Sequence, residues 1–291
     1  MTFLEILNRA SGHIESLSGN NIDVLDITKP PSVEYAEHLA KVVSKLSPLV
    51  GNMIEFSVCE ELNKLDWKGL GYWKRQDPGF PDTIFTGSVK PTPGIEIKTW
   101  FPLATEITAR FKDSINHFEH NQTNVALVAW LPEFIIYGEP KIISVWIGSA
   151  KSLAEARDKH YHNPPDYLVF EPEDTSSRTI NLQQTNTNGY KFQGSKEQLD
   201  EATEYLENLE KDYLTYSPTI DYQDILKSLL GKYPYRLDTN FAKIDRIQHD
   251  GLENFKAQVL SKKLFGHSLK EWSKLIGDKN TNTIDLIKDL I

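Results

Sequence analysis

The sequence predicts a mixed α/β protein in which a central mixed sheet is flanked by helices and followed by a helical C-terminal part. Three observations support this fold class. Apolar residues recur at helical spacing before residue 66, short strand-like runs lie between Gly69 and Tyr161, and helical periodicity returns after Gly194. A chain of 291 residues is long enough for one large domain or for a core with an appended helical part.

Region 1–66 is predicted to hold the N-terminal helices that lead into the core. Two of them, Glu34 to Leu46 and Gly51 to Leu65, are separated by Ser47-Pro48, where a proline fits the first turn of a helix. Cys59 is the only cysteine and falls on the second of these helices. We expect it to be a core residue rather than a nucleophile.

Region 67–165 is predicted to be the α/β core, and its most informative stretch runs from Gly79 to Lys98. Asp82 follows a proline and begins a short apolar run. In the segment Ile95-Glu96-Ile97-Lys98, side chains alternate across a strand, so Glu96 and Lys98 share one face. The intervening prolines and glycine cannot continue a strand. A hairpin-like return is therefore expected to bring Asp82 beside Glu96.

This arrangement of Asp82, Glu96 and Lys98 suggests a site for a divalent cation. Two carboxylates that face one point provide the hard oxygen ligands that Mg²⁺ prefers. Water bound to such a cation is acidified and can attack a phosphorus atom, and Lys98 can orient that water. The nearby cation is expected to lower the pKa of Lys98. The sequence thus predicts metal-dependent hydrolysis of phosphodiesters.

Further elements are predicted downstream of this stretch. The segment from Thr105 to Glu119 is expected to be a helix, Val125 to Trp130 a buried strand, and Lys141 to Ile147 another strand. His160 and His162 are spaced by two residues, but no other histidine or cysteine accompanies them at zinc-ligand spacing, so a structural role is the better interpretation.

The residues Pro81-Asp82 and Glu96-Ile97-Lys98 resemble the signature of the PD-(D/E)xK nuclease superfamily, best known from type II restriction endonucleases. The order of predicted elements from Leu49 to Trp130 is also similar to the core of that superfamily, which implies a restriction-endonuclease-like core. Many members carry an acidic residue on the first helix. Glu55 matches that position, with Glu60 and Glu61 as competitors.

The resemblance implies a site and a setting. Asp82, Glu96 and Glu55 would hold Mg²⁺ with the backbone carbonyl of Ile97, and Lys98 would position the attacking water. The implied protein is a homodimer that cuts duplex DNA at a short specific sequence. A cognate DNA methyltransferase as partner is implied only by the resemblance. Two alternatives stay open: a structure-specific repair or recombination nuclease, and a non-catalytic DNA-binding protein with a nuclease-like fold.

Region 166–195 is predicted to be a polar loop region that recognises DNA. Amides, hydroxyls and cations such as those found here bind base edges and phosphates, although an ordinary polar surface loop has the same composition. Lys112, on the helix expected after the motif, is a further candidate. The DNA-binding candidates are Arg178, Thr179, Asn181, Gln183, Gln184, Asn186, Asn188, Tyr190, Lys191 and Lys112.

Charge and targeting signals bound these interpretations. The formal net charge of -9 counts against DNA binding, because cations supply much of the affinity for phosphates. The charge is unevenly distributed within the helical C-terminal region 196–291. Glu197 to Asp212 is acidic, whereas Lys256 to Lys274 is rich in lysine. The sequence has no apolar run of membrane-span length and no secretory signal at Met1, so no membrane partner and a cytoplasmic location are expected.

Overall fold

The computed structural model describes residues 1–22, 25–76, 79–113, 115–161, 164–170, 189–217 and 219–277. These residues form a mixed α/β fold with a five-stranded mixed sheet flanked by helices, which confirms the predicted fold class at that level. Within the described helices, none combines the length and the apolar character needed to cross a membrane.

The main sheet carries the predicted motif. Its strands lie side by side in chain order: β1 (Gly71–Arg75), β2 (Thr83–Gly87), β3 (Gly94–Trp100), β4 (Thr123–Pro132) and β5 (Pro140–Ser149). Strands β3 and β4 are parallel, and the other neighbours are antiparallel. Strand β4, which pairs on both sides, is almost wholly buried, as its continuous apolar run predicts. The predicted strands at Val125 to Trp130 and Lys141 to Ile147 are confirmed within β4 and β5.

Helices cover both faces of this sheet. The described part of the chain contains α1 (Phe3–Ser16), α2 (Val33–Val43), α3 (Ser47–Asn63), α4 (Ala150–Tyr161), α5 (Lys196–Glu207), α6 (Ile220–Lys232), α7 (Asp250–Ser261) and α8 (Leu269–Gly277). Successive residues of β3 show the two layers, since Thr99 faces Gly51 of α3 whereas the Trp100 ring packs 6.2 Å from Phe255 of α7. Helix α1 shares the α3 side, because Asn124 beside Ile95 bonds to Ser11.

Local sequence features explain why helices α1 and α3 form where they do. Helix α1 begins with a capping box: the Thr2 N–H donates to Glu5 Oε2 (2.7 Å) and the Glu5 N–H donates to Thr2 Oγ1 (3.3 Å). Helix α3 has a proline in its first turn and buries apolar residues four apart: Val50, Ile54, Val58 and Leu62. Each such burial contributes roughly 1.5–3 kcal/mol. Cys59 is 4% exposed, which confirms its prediction as a core residue.

The prediction of a helix from Thr105 to Glu119 is wrong. The structure shows an irregular segment with one 3₁₀ turn at Ile115–Phe118. Its backbone is bonded to residues far along the chain instead of to itself: the Phe111 N–H donates to the Ala242 carbonyl (2.7 Å) and the Ile244 N–H donates to the Ala109 carbonyl (2.9 Å). Those non-local bonds outweigh the local helical pattern.

A second, smaller sheet lies C-terminal to the first. Strands β6 (Tyr167–Val169), β7 (Gly189–Phe192) and β8 (Tyr235–Asp238) are antiparallel in that order. They share a separate apolar cluster with α5 and α6. Helices α7 and α8 instead pack on the main core, joined by the short pair β9 (Lys263–Leu264) and β10 (His267–Ser268). The C-terminal part is therefore helical, as predicted, but it also contains strands.

Candidate active site

Asp82 and Glu96 face each other where β2 meets β3. The predicted hairpin return is present, although only two residue pairs join these strands, the last being Thr83 with Ile95. Beyond that pair, hydrogen bonds to side chains take the place of the backbone hydrogen bonds between the two strands. The Asp82 N–H donates to Glu96 Oε2 (3.1 Å), and the Ile97 N–H donates to Asp82 Oδ2 (2.6 Å). Each carboxylate thus satisfies a backbone donor of the opposite strand and is held in place by it.

A glycine allows this close approach. A Cβ atom at Gly94, the first residue of β3, would lie 2.4 Å from Cγ of Pro81. Any larger residue would push the Pro81-Asp82 segment away from β3. The Pro-Asp pair and Gly94 therefore form one packing unit that sets the position of Asp82.

Lys98 joins the two carboxylates. It lies on the same face of β3 as Glu96, as the alternation predicts, and its Nζ forms an ion pair with Glu96 Oε1. The same Nζ lies 3.9 Å from Asp82 Oδ2. The side chains of Lys98, Asp82 and Glu96 are 20%, 16% and 6% exposed, so this contact is largely shielded from solvent.

Glu55 is the acid of helix α3 that points toward this group. Its carboxylate pairs with Arg75 at 3.2 Å, and the charges of Asp82 and Lys98 act on it. Burial, then Asp82, raise the pKa of Glu55 against the opposing effect of Arg75 and Lys98. The competitors face elsewhere: Glu61 contacts Lys64 and lies 3.8 Å from His13 of α1, while Glu60 is exposed.

Asp113 is a site residue that the sequence interpretation missed. It lies in the irregular segment, close enough to Lys98 and Asp82 for their charges to act on it. Burial raises the pKa of Asp113 to about 6, with Lys98 and Arg157 opposing and Asp82 adding to the shift. Because the segment from Thr105 to Glu119 was expected to be a helix, Asp113 was not expected to lie near Lys98. The residues around Asp113 are mostly polar or charged, so the sequence carried no signal that this acid is buried.

We call Glu55, Asp82, Glu96, Lys98 and Asp113 the Lys98 cluster. Burial and the neighbouring carboxylates raise the pKa of Glu96, although Lys98 opposes them. For Lys98 itself, burial favours a lower pKa, but Glu96, Asp82 and Asp113 outweigh burial and hold the pKa above its usual value. The lowered pKa expected from the sequence requires a bound cation and stays a prediction. The described neighbours of Lys98 are carboxylates, and their effect has the opposite sign.

The donor set of this cluster fits Mg²⁺ chemistry. Two carboxylates are sufficient, because Mg²⁺ keeps several waters and takes few protein ligands. The Ile97 carbonyl points to the same side of β3 as its N–H, toward Asp82, since both groups of a strand residue project to one side. In the described part of the chain, no group of three or more His, Cys, Asp or Glu side chains converges on one metal position. The fit therefore rests on two carboxylates and a carbonyl.

The predicted DNA-binding residues are placed only in part. Arg178, Thr179, Asn181, Gln183, Gln184, Asn186 and Asn188 lie outside the described residues. Tyr190 and Lys191 lie on strand β7 rather than in a loop. The Tyr190 ring packs 5.1 Å from Phe170 in the second apolar cluster, whereas Lys191 is exposed beside a cavity of about 260 Å³.

Lys112 lies in the irregular segment rather than on a helix. Its side chain is partly buried, next to Asp113 in sequence. Burial, and then the charge of Arg110, lower the pKa of Lys112, while Asp113 opposes them. Lys112 thus lies next to Asp113 of the Lys98 cluster, and its role in DNA binding stays a prediction.

Comparison of the chain with protein-family models, curated proteins and solved structures gives no match.

Proposed function

We propose that this protein is a Mg²⁺-dependent endonuclease of the PD-(D/E)xK type that cuts duplex DNA at a short specific sequence, as type II restriction endonucleases do. The observation that carries the proposal is the contact of one lysine, Lys98, with both Asp82 and Glu96 across the β2–β3 hairpin. A surface hairpin of ordinary structure has no reason to place two carboxylates against one partly buried lysine.

The residues have distinct roles in this proposal. Asp82 and Glu96 would hold the cation, with the Ile97 carbonyl beside them and Glu55 at the rim. Bound Mg²⁺ supplies an acidified water and neutralises charge on the scissile phosphate. Lys98, in contact with both carboxylates, would orient the attacking water and stabilise the phosphate oxygens by donating hydrogen bonds.

Substrate and partners follow from the same proposal. The substrate is double-stranded DNA, and a homodimer would match a palindromic site by its two-fold symmetry. The polar segment between β6 and β7 is the proposed reader of bases, with exposed Lys191 at its C-terminal end. A chain of net charge -9 must concentrate its cations at the DNA surface, so binding is expected to weaken steeply with salt. A DNA methyltransferase that protects host sites belongs to this setting.

The test is digestion of a long phage DNA of known sequence, with Mg²⁺ or with EDTA. The diagnostic variant is Asp82→Asn, which keeps the acceptor for the Ile97 N–H but removes the charge. The matched control is Asp224→Asn, an exposed aspartate of α6 whose side chain lies 3.6 Å from Lys227. We expect discrete bands that require Mg²⁺, disappear in Asp82→Asn and persist in Asp224→Asn.

Other outcomes would separate the alternatives. Intact DNA under every condition would overturn the restriction endonuclease. Cleavage confined to branched or mismatched duplexes would favour a structure-specific repair nuclease. Tight binding of duplex DNA without any cleavage, unaffected by Asp82→Asn, would favour a non-catalytic DNA-binding protein.

A further inference from the structure

Arg157 of helix α4 is a fully buried cation outside the Lys98 cluster. Its side chain is 0% exposed. Its Nε donates to Asp158 Oδ1 (2.8 Å) and its Nη1 donates to the Phe111 carbonyl (2.9 Å). Burying an arginine is costly unless its charge and donors are matched. This arginine therefore has a role that a smaller apolar residue would not fulfil.

On one side, Arg157 is connected to Asp82 by a row of aromatic rings. The guanidinium lies 5.8 Å from the Phe111 ring, which stacks on Phe118 at 5.7 Å. Phe118 packs edge-on against Phe80 at 5.5 Å, and Phe80 directly precedes the Pro81-Asp82 pair. Phe111 and Phe118 are both 0% exposed. Tightly packed rings of this kind transmit displacement, because a close-packed interior has little free volume.

On the other side, Arg157 contacts the region of the second sheet. The guanidinium lies 6.0 Å from the ring of Phe241. Phe241 in turn packs 5.9 Å from Tyr167 of β6, the strand that leads into the proposed recognition segment. The backbone agrees with this connection, because the Phe111 N–H donates to the carbonyl of Ala242, the neighbour of Phe241.

We propose that Arg157 is a positioning residue that fixes Asp82 through Phe111, Phe118 and Phe80 and joins the second sheet to the Lys98 cluster. The proposal rests on the proposed function for its catalytic consequence, but the placement of Asp82 is measurable without it. Arg157 touches neither substrate nor cation and acts through the segment that begins at Phe111, to whose carbonyl it donates. The charge of Arg157 also acts directly on Asp113, which lies in that segment.

Arginine suits this position because of its shape. A planar guanidinium donates in two directions while its faces lie against rings, whereas a lysine ammonium is a point charge on a flexible stem. Arg157→Lys keeps the charge and loses this geometry. The chain offers a matched control in Arg9→Lys, since Arg9 donates to the Asp66 carbonyl (2.6 Å) and lies 5.1 Å from the Trp67 ring, on the α1 side of the sheet.

The experiment measures amide hydrogen exchange by NMR in wild type, Arg157→Lys and Arg9→Lys. The reporter is the Ile97 amide, because its acceptor is the Asp82 carboxylate. The internal reference is the Trp73 amide of the same sheet, which also donates to a side chain, Asn63 Oδ1, at 2.8 Å. We expect Arg157→Lys to accelerate exchange at Ile97 by at least about tenfold relative to Trp73, because a displaced acceptor no longer protects the donor.

A second variant and a cleavage assay complete the test. Phe118→Leu interrupts the row of rings while leaving the Arg157 contacts in place, and it is expected to accelerate the same amide. In single-turnover cleavage, Arg157→Lys is expected to be slower by about 10–100-fold, since small misplacements of a catalytic group are costly. Binding of DNA in Ca²⁺ is expected to stay within about twofold, because Arg157 makes no contact with DNA.

Equal exchange at Ile97 in Arg157→Lys and Arg9→Lys would overturn the proposal, as would equal acceleration at Ile97 and Trp73, which indicates general destabilisation. A wild-type protein that cuts no DNA would overturn the proposed function instead. In that case the amide measurement still decides whether Arg157 positions Asp82.

Discussion

The Lys98 cluster and the Arg157–Asp158 pair both bury charge, but they balance it in different ways. Arg157 bonds to one carboxylate at 2.8 Å and to a carbonyl, it lies against two aromatic rings, and its charge also acts on Asp113. In the Lys98 cluster, the carboxylates of Asp82, Glu96 and Asp113 all act on a single lysine. The first arrangement is matched in charge, whereas the second has an excess of negative charge.

The difference separates a structural group from a functional one. A buried pair whose charges balance is tolerated, although it adds little stability. An unmatched cluster is held together against repulsion by the surrounding fold, and it becomes matched only when another positive charge enters. Residues arranged at such a cost are typical of sites that bind a cation or a substrate. Substitutions at the two places should therefore have opposite consequences.

The largest expected effect is on cleavage by Lys98→Met. Because Lys98 supplies the ammonium that contacts both carboxylates, its removal is expected to lower the single-turnover rate by on the order of 10²–10³-fold. The measurement is quench-flow cleavage of an oligonucleotide that carries the mapped site, with DNA affinity measured in parallel. Lys227→Met, a lysine of α6 next to Asp224, is the control and should cleave at the wild-type rate. A rate for Lys98→Met close to that of the control would remove Lys98 from the catalytic site.

The next largest effect is on stability, and it contrasts two isosteric changes. Asp158→Asn removes the only carboxylate seen to bond to Arg157 among the described residues, so the free energy of unfolding should fall by on the order of 3 kcal/mol. Glu96→Gln removes one charge from an excess, and Lys98 keeps Asp82 at 3.9 Å. We expect a change within about 1 kcal/mol, or a gain. Urea unfolding in EDTA measures both, and equal losses would refute the distinction drawn between the two groups.

The pH dependence of stability tests directly whether negative charges are crowded around Asp113. The pKa of Asp113 is raised from 3.8 to about 6 in the folded protein, so the folded state binds a proton that the unfolded state has released. Its contribution is complete below about pH 4 and is lost as the pH rises through 6. In EDTA, the free energy of unfolding should therefore fall across this window by about 2 kcal/mol, after allowance for the partial exposure of Asp113.

Asp113→Asn is the control for this prediction. The variant has no proton to release at this position, so its stability should vary less between pH 4 and pH 6 than that of wild type. The two curves should also cross, with the variant relatively more stable at pH 8. Parallel curves would show that Asp113 does not lie in a crowded negative environment.

The two groups also differ in how far the sequence could predict them, because one depends on local contacts and the other on non-local ones. The motif residues Asp82, Glu96 and Lys98 lie within one hairpin, where period-two alternation and turn-forming prolines act over a few residues, and the structure brings them together as predicted. For the acid of the first helix, the resemblance pointed to Glu55, with Glu60 and Glu61 as competitors. The packing of α3, which directs Glu61 toward α1 and Glu55 toward Arg75, favours Glu55.

Asp113 and Arg157 could not be found in the same way. Their positions depend on bonds between residues more than 40 apart, such as Arg157 to the Phe111 carbonyl and Phe111 to Ala242. Local periodicity carries no information about those partners, and in the segment after Thr105 it favoured a helix that the non-local bonds exclude. The second sheet was missed for a related reason, because β6 and β7 are very short and flank a polar segment.

The smallest expected effect is at Cys59, which lies beneath the hairpin. Its Sγ is 3.4 Å from the hydroxyl of Thr83, the residue after Asp82, and burial raises the pKa of the Cys59 thiol. Burial suppresses the reactive thiolate and outweighs the Thr83 hydroxyl, which by donating to Sγ favours it. Alkylation by iodoacetamide should be at least about 100-fold slower in the native protein than in urea, with mass spectrometry as the readout. If α3 and the hairpin form the rigid base that holds the unmatched charges together, Glu96→Gln should leave this rate unchanged. Rapid native alkylation would mean that the base opens, and that the crowding in the Lys98 cluster is relieved by movement rather than by a bound cation.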